Sequence, residues 1–353
     1  MDAFPASPDA VSEAWLGDRL GCTIETMHWE PIGTGQVGDS VRFHLQVDKT
    51  GKVGPKSVAA KFAAADATSR GTATMFGLYT KEVGFYRDII VTLDVRAPKV
   101  HFADVSGDGS ECLLVFEDLG PARGGDQVAG CSLEDARAAI VQAARIHGPS
   151  WQRPEVLDRP WIATKEGLPD QLIPLYAQAQ AIFYDRYATS LEPELMAVCA
   201  RFAEVAPLWF HRPTEKLCIV HGDFRLDNML FDIKGGTEPI AILDWQTVAV
   251  GNPLVDIGYF LGCGIGDKLR SRHEFELLTL YRGEMANYGV QFTDDVFRRD
   301  YRIGALHGLS TAVFSAAFVE RTERGDANFL SMARGAASLA LEHDSIGALK
   351  GDS

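Results

Sequence analysis

One polar loop, held between two apolar runs, constrains this chain more than any other feature. Ile219-Val220 leads into His221-Gly222-Asp223-Phe224-Arg225-Leu226-Asp227-Asn228, and Met229-Leu230-Phe231 leads out. Short apolar runs bounded by turn residues read as buried strands, which puts the acids at the tip of a strand pair. Asp223 and Asn228 are five residues apart. After a turn containing Gly235-Gly236, a second run, Ile240-Ala241-Ile242-Leu243, delivers Asp244-Trp245. A hydroxyl attacking a terminal phosphate must be oriented and deprotonated, which suits Asp223. A magnesium ion takes hard oxygen ligands, which suits the Asn228 carboxamide and the Asp244 carboxylate. Asp and Asn are also ordinary residues of surface turns, but the number and order of the matching features tell against that reading.

The first third reads as strands with one or two helices. Asp9 to Leu20 has helical spacing, and Thr23 to Ile32 can be a strand. Gly33, Gly35 and Gly38 then fit G-x-G-x-x-G, a weak signal alone. A dinucleotide fold needs a helix to start inside such a cluster. Here Val41, Phe43, Leu45 and Val47 alternate with polar residues, which predicts a strand and excludes a nicotinamide-dependent oxidoreductase. Strand, glycine loop and strand together suit a backbone folded over nucleotide phosphates.

Ser57 to Phe62 gives a further strand, with Val58, Ala60 and Phe62 on one face and Lys61 on the other. The spacing predicts a helix over Thr72 to Ile90, with Met75, Tyr79, Glu82 and Tyr86 on one stripe. A carboxylate on a core-facing stripe is costly to bury unpaired, so Glu82 should meet a cation, and Lys61 is the candidate. Val100 to Val105 and Glu111 to Phe116 read as a strand pair around Ser106-Gly107-Asp108-Gly109.

After Gly120 the pattern turns helical, over Leu133 to His147, Leu168 to Tyr187, Pro193 to Phe210, Glu274 to Tyr288 and Asp294 to Val319. The expected organisation is therefore α+β in two lobes. A small, mostly antiparallel lobe spans 1–119 and a larger, mainly helical one spans 120–353.

Composition narrows the partners. A formal net charge of −14 argues against a nucleic-acid binder held by phosphate contacts. The six cysteines are scattered, with no Cys-x-x-Cys pair, which fits a reducing compartment. No basic region followed by an apolar run opens the chain, and no run approaches the roughly 20 apolar residues of a membrane span. The expectation is a cytoplasmic protein with no membrane or nucleic-acid partner.

His221-Gly222-Asp223 to Asn228, with Leu243-Asp244-Trp245 and Gly251-Asn252-Pro253-Leu254-Val255-Asp256, resembles the aminoglycoside phosphotransferase and choline kinase-like superfamily. The form of these motifs is most similar to the kinase-like domain fused to some acyl-CoA dehydrogenases and to the ecdysteroid kinase-like group. The resemblance runs from the glycine loop to about Phe260. It implies a two-lobed protein-kinase-like fold, ATP and Mg2+ as cofactors, and a small-molecule hydroxyl as acceptor. By the same resemblance Asp223 is the catalytic base, and Asn228 and Asp244 bind magnesium. Lys61 and Glu82 form the phosphate-binding ion pair, and the Glu117 to Leu119 backbone is the hinge for adenine. Asp256 braces the catalytic loop.

The chain departs from the family at Asn252, where many relatives carry Asp. Asn252-Pro253 also reads as a helix cap. True choline kinases usually carry Asn in place of Gly222, which disfavours choline as acceptor. Arg225 has two readings, a contact to phosphate or anionic substrate and a pairing with Asp227 or another acid. His147 reads as structural or as a helix-end cation, with a substrate role as the alternative. Tyr301, His307 and Phe314 lie where relatives build the acceptor pocket, although such a stripe is more often core. The runner-up reading is a catalytically idle nucleotide- or small-molecule-binding module on the same fold.

Overall fold

The computed structural model describes residues 4–33, 38–48, 52–163, 166–212, 217–319 and 321–351. The period-2 patterns become a five-stranded antiparallel sheet of β1 (Ile24–Pro31), β2 (Gly38–Val47), β3 (Ser57–Ala63), β4 (Val100–Val105) and β5 (Cys112–Glu117), in the order β1-β2-β3-β5-β4. Alternation sorts the faces as expected. Val58, Ala60 and Phe62 join Val41, Phe43, Leu113 and Val115 in one apolar cluster, closed by Leu16 of α1 (Glu13–Leu20). Lys61 lies on the other face, toward the rest of the molecule. The expected Asp9–Leu20 helix is in fact α1 preceded by a separate turn at Pro8–Ala10.

The expected single helix over Thr72 to Ile90 does not form. Gly77, at φ 66°, ends α2 (Ala67–Phe76), and its N–H caps the carbonyls of Ala73 and Thr74. That left-handed conformation suits glycine. The chain restarts as α3 (Leu78–Gly84) and runs into a wide turn at Phe85–Ile89. Met75 therefore leaves the proposed stripe and is 69% exposed, whereas Tyr79, Glu82 and Tyr86 are buried.

The larger lobe contains α4 (Leu133–Ser150), the short α5 (Pro154–Leu157), α6 (Leu168–Tyr187) and α7 (Pro193–Phe210). Short strands follow. Arg123–Gly124 is β6, Cys218–Val220 is β7, Met229–Asp232 is β8, Glu238–Ile242 is β9 and Ala249–Gly251 is β10, with the one-turn α8 (Ile233–Gly236) between β8 and β9. The lobe is completed by α9 (Leu254–Tyr259), α10 (Asp267–Ala286), α11 (Asp294–Gly304), α12 (Leu306–Phe318), α13 (Glu323–Glu342) and α14 (Ser345–Lys350). The expected Asp294–Val319 helix is thus two, because its halves serve different cores. Phe297 and Tyr301 pack in the cluster around α4 and α10, while Leu306, Leu309 and Val313 pack with Phe202, Trp209 and Met332. No helix of the described residues is long and apolar enough to cross a membrane. All six cysteines are free.

Candidate active site

The two lobes meet over a cleft of about 2010 Å3. Gly33 (φ 77°), Gly38, Lys61, Glu82, Glu117, Leu119, Asp223, Asn228 and Asp244 all line it. Gly38 is the first residue of β2 and pairs with Ala63 of β3, beside Lys61. Gly35 lies outside the described residues.

β3 aims Lys61 into the cleft and α3 brings Glu82 to it, with Nζ 2.7 Å from the Glu82 carboxylate and 2.9 Å from Asp244 Oδ1. The Lys61–Glu82 pair is the one expected from the sequence, and the second acid on the same ammonium is an addition. Burial opposes the lysine's charge, but Asp244 and Glu82 together hold it well above its ordinary value. Burial pushes the Glu82 carboxyl up; Lys61 opposes the shift and Asp244 adds to it.

The loop between β7 and β8 is fixed from behind. Asp256, at 0% exposure on α9, accepts from the His221 N–H at 2.7 Å and the Gly222 N–H at 3.0 Å. His147 Nε2 lies 3.1 Å from the same carboxylate, and its Nδ1 is 2.8 Å from the Tyr281 hydroxyl. His147 is thus a buried brace behind the loop, with no exposed surface for a substrate. Burial opposes ionisation of Asp256, yet His147, His221 and the loop N–H groups hold its carboxyl below the usual range. Asn252 accepts from the Leu254 N–H at 2.9 Å, as the cap reading required, and donates to Asp300 at 2.9 Å.

His221 ties the loop to the next strand. Its Nδ1 accepts from the Asp223 N–H at 3.2 Å, which leaves Nε2 as donor to the Leu243 carbonyl at 2.8 Å. Its ring also meets Trp245, which is stacked on Phe85 at 3.8 Å. Gly222 turns the chain at φ 80°, and a β-carbon there would come 2.6 Å from the Thr247 carbonyl oxygen. Gly222→Ala is therefore expected to destabilise the fold by about 1–3 kcal/mol. An unchanged urea midpoint would show that the loop accommodates a side chain.

The Asp223 carboxylate accepts from Tyr259 Oη at 2.7 Å, Asn228 Nδ2 at 2.8 Å and Arg225 Nε at 3.2 Å. Burial works against its charge, but Arg225 foremost, then Tyr259, hold its carboxyl below the ordinary value. Arg225 also lies 3.9 Å from Asp227, so its cation is matched by acids of its own loop. Asn228 Nδ2 also donates to the Asp223 carbonyl at 2.8 Å, which leaves the carboxamide oxygen as the open end. Asp244 has Oδ1 on Lys61, and among the described residues no partner holds its other oxygen. These hard oxygens suit a magnesium ion. The one His/Asp/Glu trio among the described residues with metal-like spacing, Glu274, Glu342 and His343, lies elsewhere, and the Arg270 guanidinium contacts both of its acids.

On the opposite rim the Glu117 carboxylate points away to Arg96 at 2.6 Å and Lys234 at 2.7 Å, and its N–H donates to the Lys99 carbonyl at 2.8 Å. The Leu119 carbonyl accepts from the Lys234 N–H at 2.8 Å. The sequence reading missed Tyr259, although Asp256 and Tyr259 are three apart and so share a face of α9. It also missed Arg212. It gave His307 only a pocket position; His307 Nε2 donates to the Gly222 carbonyl at 2.8 Å. Phe314 and Tyr301 are packing residues, against Tyr176 and His343 respectively.

The sequence profile described as the Ecdysteroid kinase-like family matches residues 37–290. Acyl-CoA dehydrogenase family member 10 of Mus musculus is 33% identical over 84 residues, 24% of this chain and 8% of that protein. Family member 11 of Homo sapiens is 48% identical over 42 residues, 12% of this chain and 5% of that protein. The matches thus span a small part of these relatives' lengths. Among solved structures, choline kinase from Cryptosporidium parvum Iowa II superposes with a TM-score of 0.54 at 12% identity, covering 92% of this chain and 91% of that one. The GDP complex of aminoglycoside 2'-phosphotransferase-IIIa gives 0.54 at 16% identity, covering 89% and 93%. At these identities the likeness is one of fold, and the fold is the two-lobed, kinase-like one.

Proposed function

This chain belongs to the ecdysteroid kinase-like family, and from that premise we propose that it transfers the terminal phosphate of ATP to a hydroxyl of a small molecule. The observation that carries the reading is the convergence of Lys61 and Glu82 from the smaller lobe with Asp223, Asn228 and Asp244 from the larger one, all lining one cleft. A resting ion pair on Lys61 holds its ammonium where phosphate oxygens are expected.

In this reading Asp223 orients the acceptor hydroxyl and takes its proton. The new oxygen–phosphorus bond forms as the bond from the terminal phosphorus to the diphosphate oxygen breaks. A depressed pKa suits late proton acceptance, because a loose phosphoryl transition state asks first for position and charge neutralisation. Asn228, through its open oxygen, and Asp244 would hold Mg2+, which when bound neutralises charge on the phosphates. Gly33, Gly35 and Gly38 would cover the phosphates, and the main chain of Glu117 and Leu119 would address adenine. We assign the nucleotide lobe to 1–119 and the catalytic and acceptor lobe to 120–353, in a cytoplasmic protein.

The test joins nucleotide binding to product detection. Mg-ATP at about one hundred times its Kd should add about 2.7 kcal/mol to the folded state and raise the melting temperature. A panel of hydroxyl acceptors with Mg-ATP should yield a phosphorylated product by mass spectrometry. No melting shift at millimolar Mg-ATP, with no heat of binding by calorimetry, would sink the reading. A shift with no product across the panel would favour an idle binding module.

A further inference from the structure

Arg212 follows α7 and lies in the cleft wall. Its guanidinium lies over the Trp209 ring, 3.5 Å from the centroid, and Nη1 donates to the Trp209 carbonyl at 2.6 Å. No carboxylate among the described residues reaches it. The three other arginines that line the cleft each meet an acid: Arg42 with Asp118 at 2.8 Å, Arg225 with Asp223 at 3.2 Å and Arg324 with Asp227 at 3.7 Å. Burial, with no acid to offset it, pushes the Arg212 guanidinium down to about 10. Drawing a cation from water without a partner is costly. Stacking on Trp209 supports the face of the guanidinium, and among the described residues its other side-chain N–H groups meet no acid. A guanidinium presents these in a planar fork that matches carboxylate or phosphate.

The position matters as much as the missing partner. Trp209 lies 6.3 Å from the His307 ring, and His307 donates to the carbonyl of Gly222, the residue before Asp223. Arg212 therefore stands on the helical side of Asp223, whereas Lys61 stands on the sheet side. From α12, His307, Thr311 and Ser315 line the cleft at intervals of four, hence on one face. From α13, Asn328 lines it too, with a buried side-chain oxygen that has no hydrogen-bond partner among the described residues. Both acids of the loop, Asp223 and Asp227, are already paired with arginines, so nothing there is set aside for a cationic acceptor.

We propose that the acceptor carries an anionic group, a carboxylate or a phosphate, which Arg212 binds while Asn328 and the α12 row meet its neutral polar groups. This rests on the small-molecule kinase reading and gives that reading a substrate class.

Calorimetric titration without nucleotide tests the anion site apart from any transfer. The probes are a straight-chain terminal hydroxy acid, its methyl ester, the matching hydroxyalkyl phosphate and the matching hydroxyalkyl ammonium. One or both anions should bind at least about tenfold more tightly than the ester and the ammonium, and the better anion separates carboxylate from phosphate recognition. Arg212→Gln should cut anion affinity by about 10- to 100-fold, the range of a hydrogen bond to a charged group, with the ester nearly unaffected. Arg212→Lys should keep part of the preference, and serves as the second variant should the glutamine protein fold poorly. Ester or ammonium binding as tightly as both anions, no anion binding at millimolar concentration, or a preference untouched by either variant would overturn the proposal. Anion binding that depends on Arg212 in a protein that never transfers phosphate would support this site and sink the kinase reading instead.

Discussion

Asp223→Asn is expected to lower kcat for phosphoryl transfer by about 10²–10⁴-fold, the contribution of a positioned proton acceptor, while Mg-ATP still raises the melting temperature. The substitution preserves shape and removes the charge that Arg225 and Tyr259 now surround. Its effect should fall on turnover and only weakly on nucleotide binding, since Lys61, Glu82 and Asp244 are untouched. Because those neighbours hold the Asp223 carboxyl below its ordinary value, the wild-type rate should show no acid limb from this group between about pH 5 and 8. Turnover near that of wild type in the variant would remove Asp223 from the mechanism.

Asp256→Ala is expected to cost the fold about 3–5 kcal/mol, the penalty of stripping one partner from a buried charged network. Two loop N–H groups and His147 would lose their common acceptor at once. The sign of its pH dependence follows from a folded pKa that lies below the ordinary 3.8. The unfolded chain binds the proton more readily, so the stabilisation is complete above about pH 4 and is lost as pH falls through the folded value. Urea midpoints of wild type and variant should therefore differ widely at pH 7, and the gap should narrow as pH falls below the ordinary carboxylate range. A constant gap, or a variant as stable as wild type at pH 7, would show that the loop does not depend on this carboxylate.

How much of this could be read from the chain depended on whether the signal was local. β2 and β3 announce themselves by alternation, and that alternation alone put Lys61 on the face opposite Val58, Ala60 and Phe62. Glu82 was legible because a carboxylate on an apolar stripe demands a cation. The same stripe misled at Met75, since helical spacing continues smoothly across Gly77 while the backbone does not. The residues on α13 went unread because its buried face is mostly Ala and Gly, with few large apolar residues to mark a period. The Tyr259 hydroxyl and His307 meet Asp223 and Gly222 across long sequence separations. Spacing within a segment carries no trace of those.

Lys61 already has two counter-charges within the cleft, so a bound ligand adds to an existing set of ion pairs. A metal on Asp244 or a phosphate on Lys61 would share charge that the existing 2.7–2.9 Å contacts already partly neutralise. The heat released on binding should then be smaller than the new contacts alone would give, because it is a difference between two sets of ion pairs. Asp244→Asn would thus have two opposing effects. It would weaken the hold on the metal and at the same time free the ammonium, so bare nucleotide would lose less affinity than nucleotide with its metal.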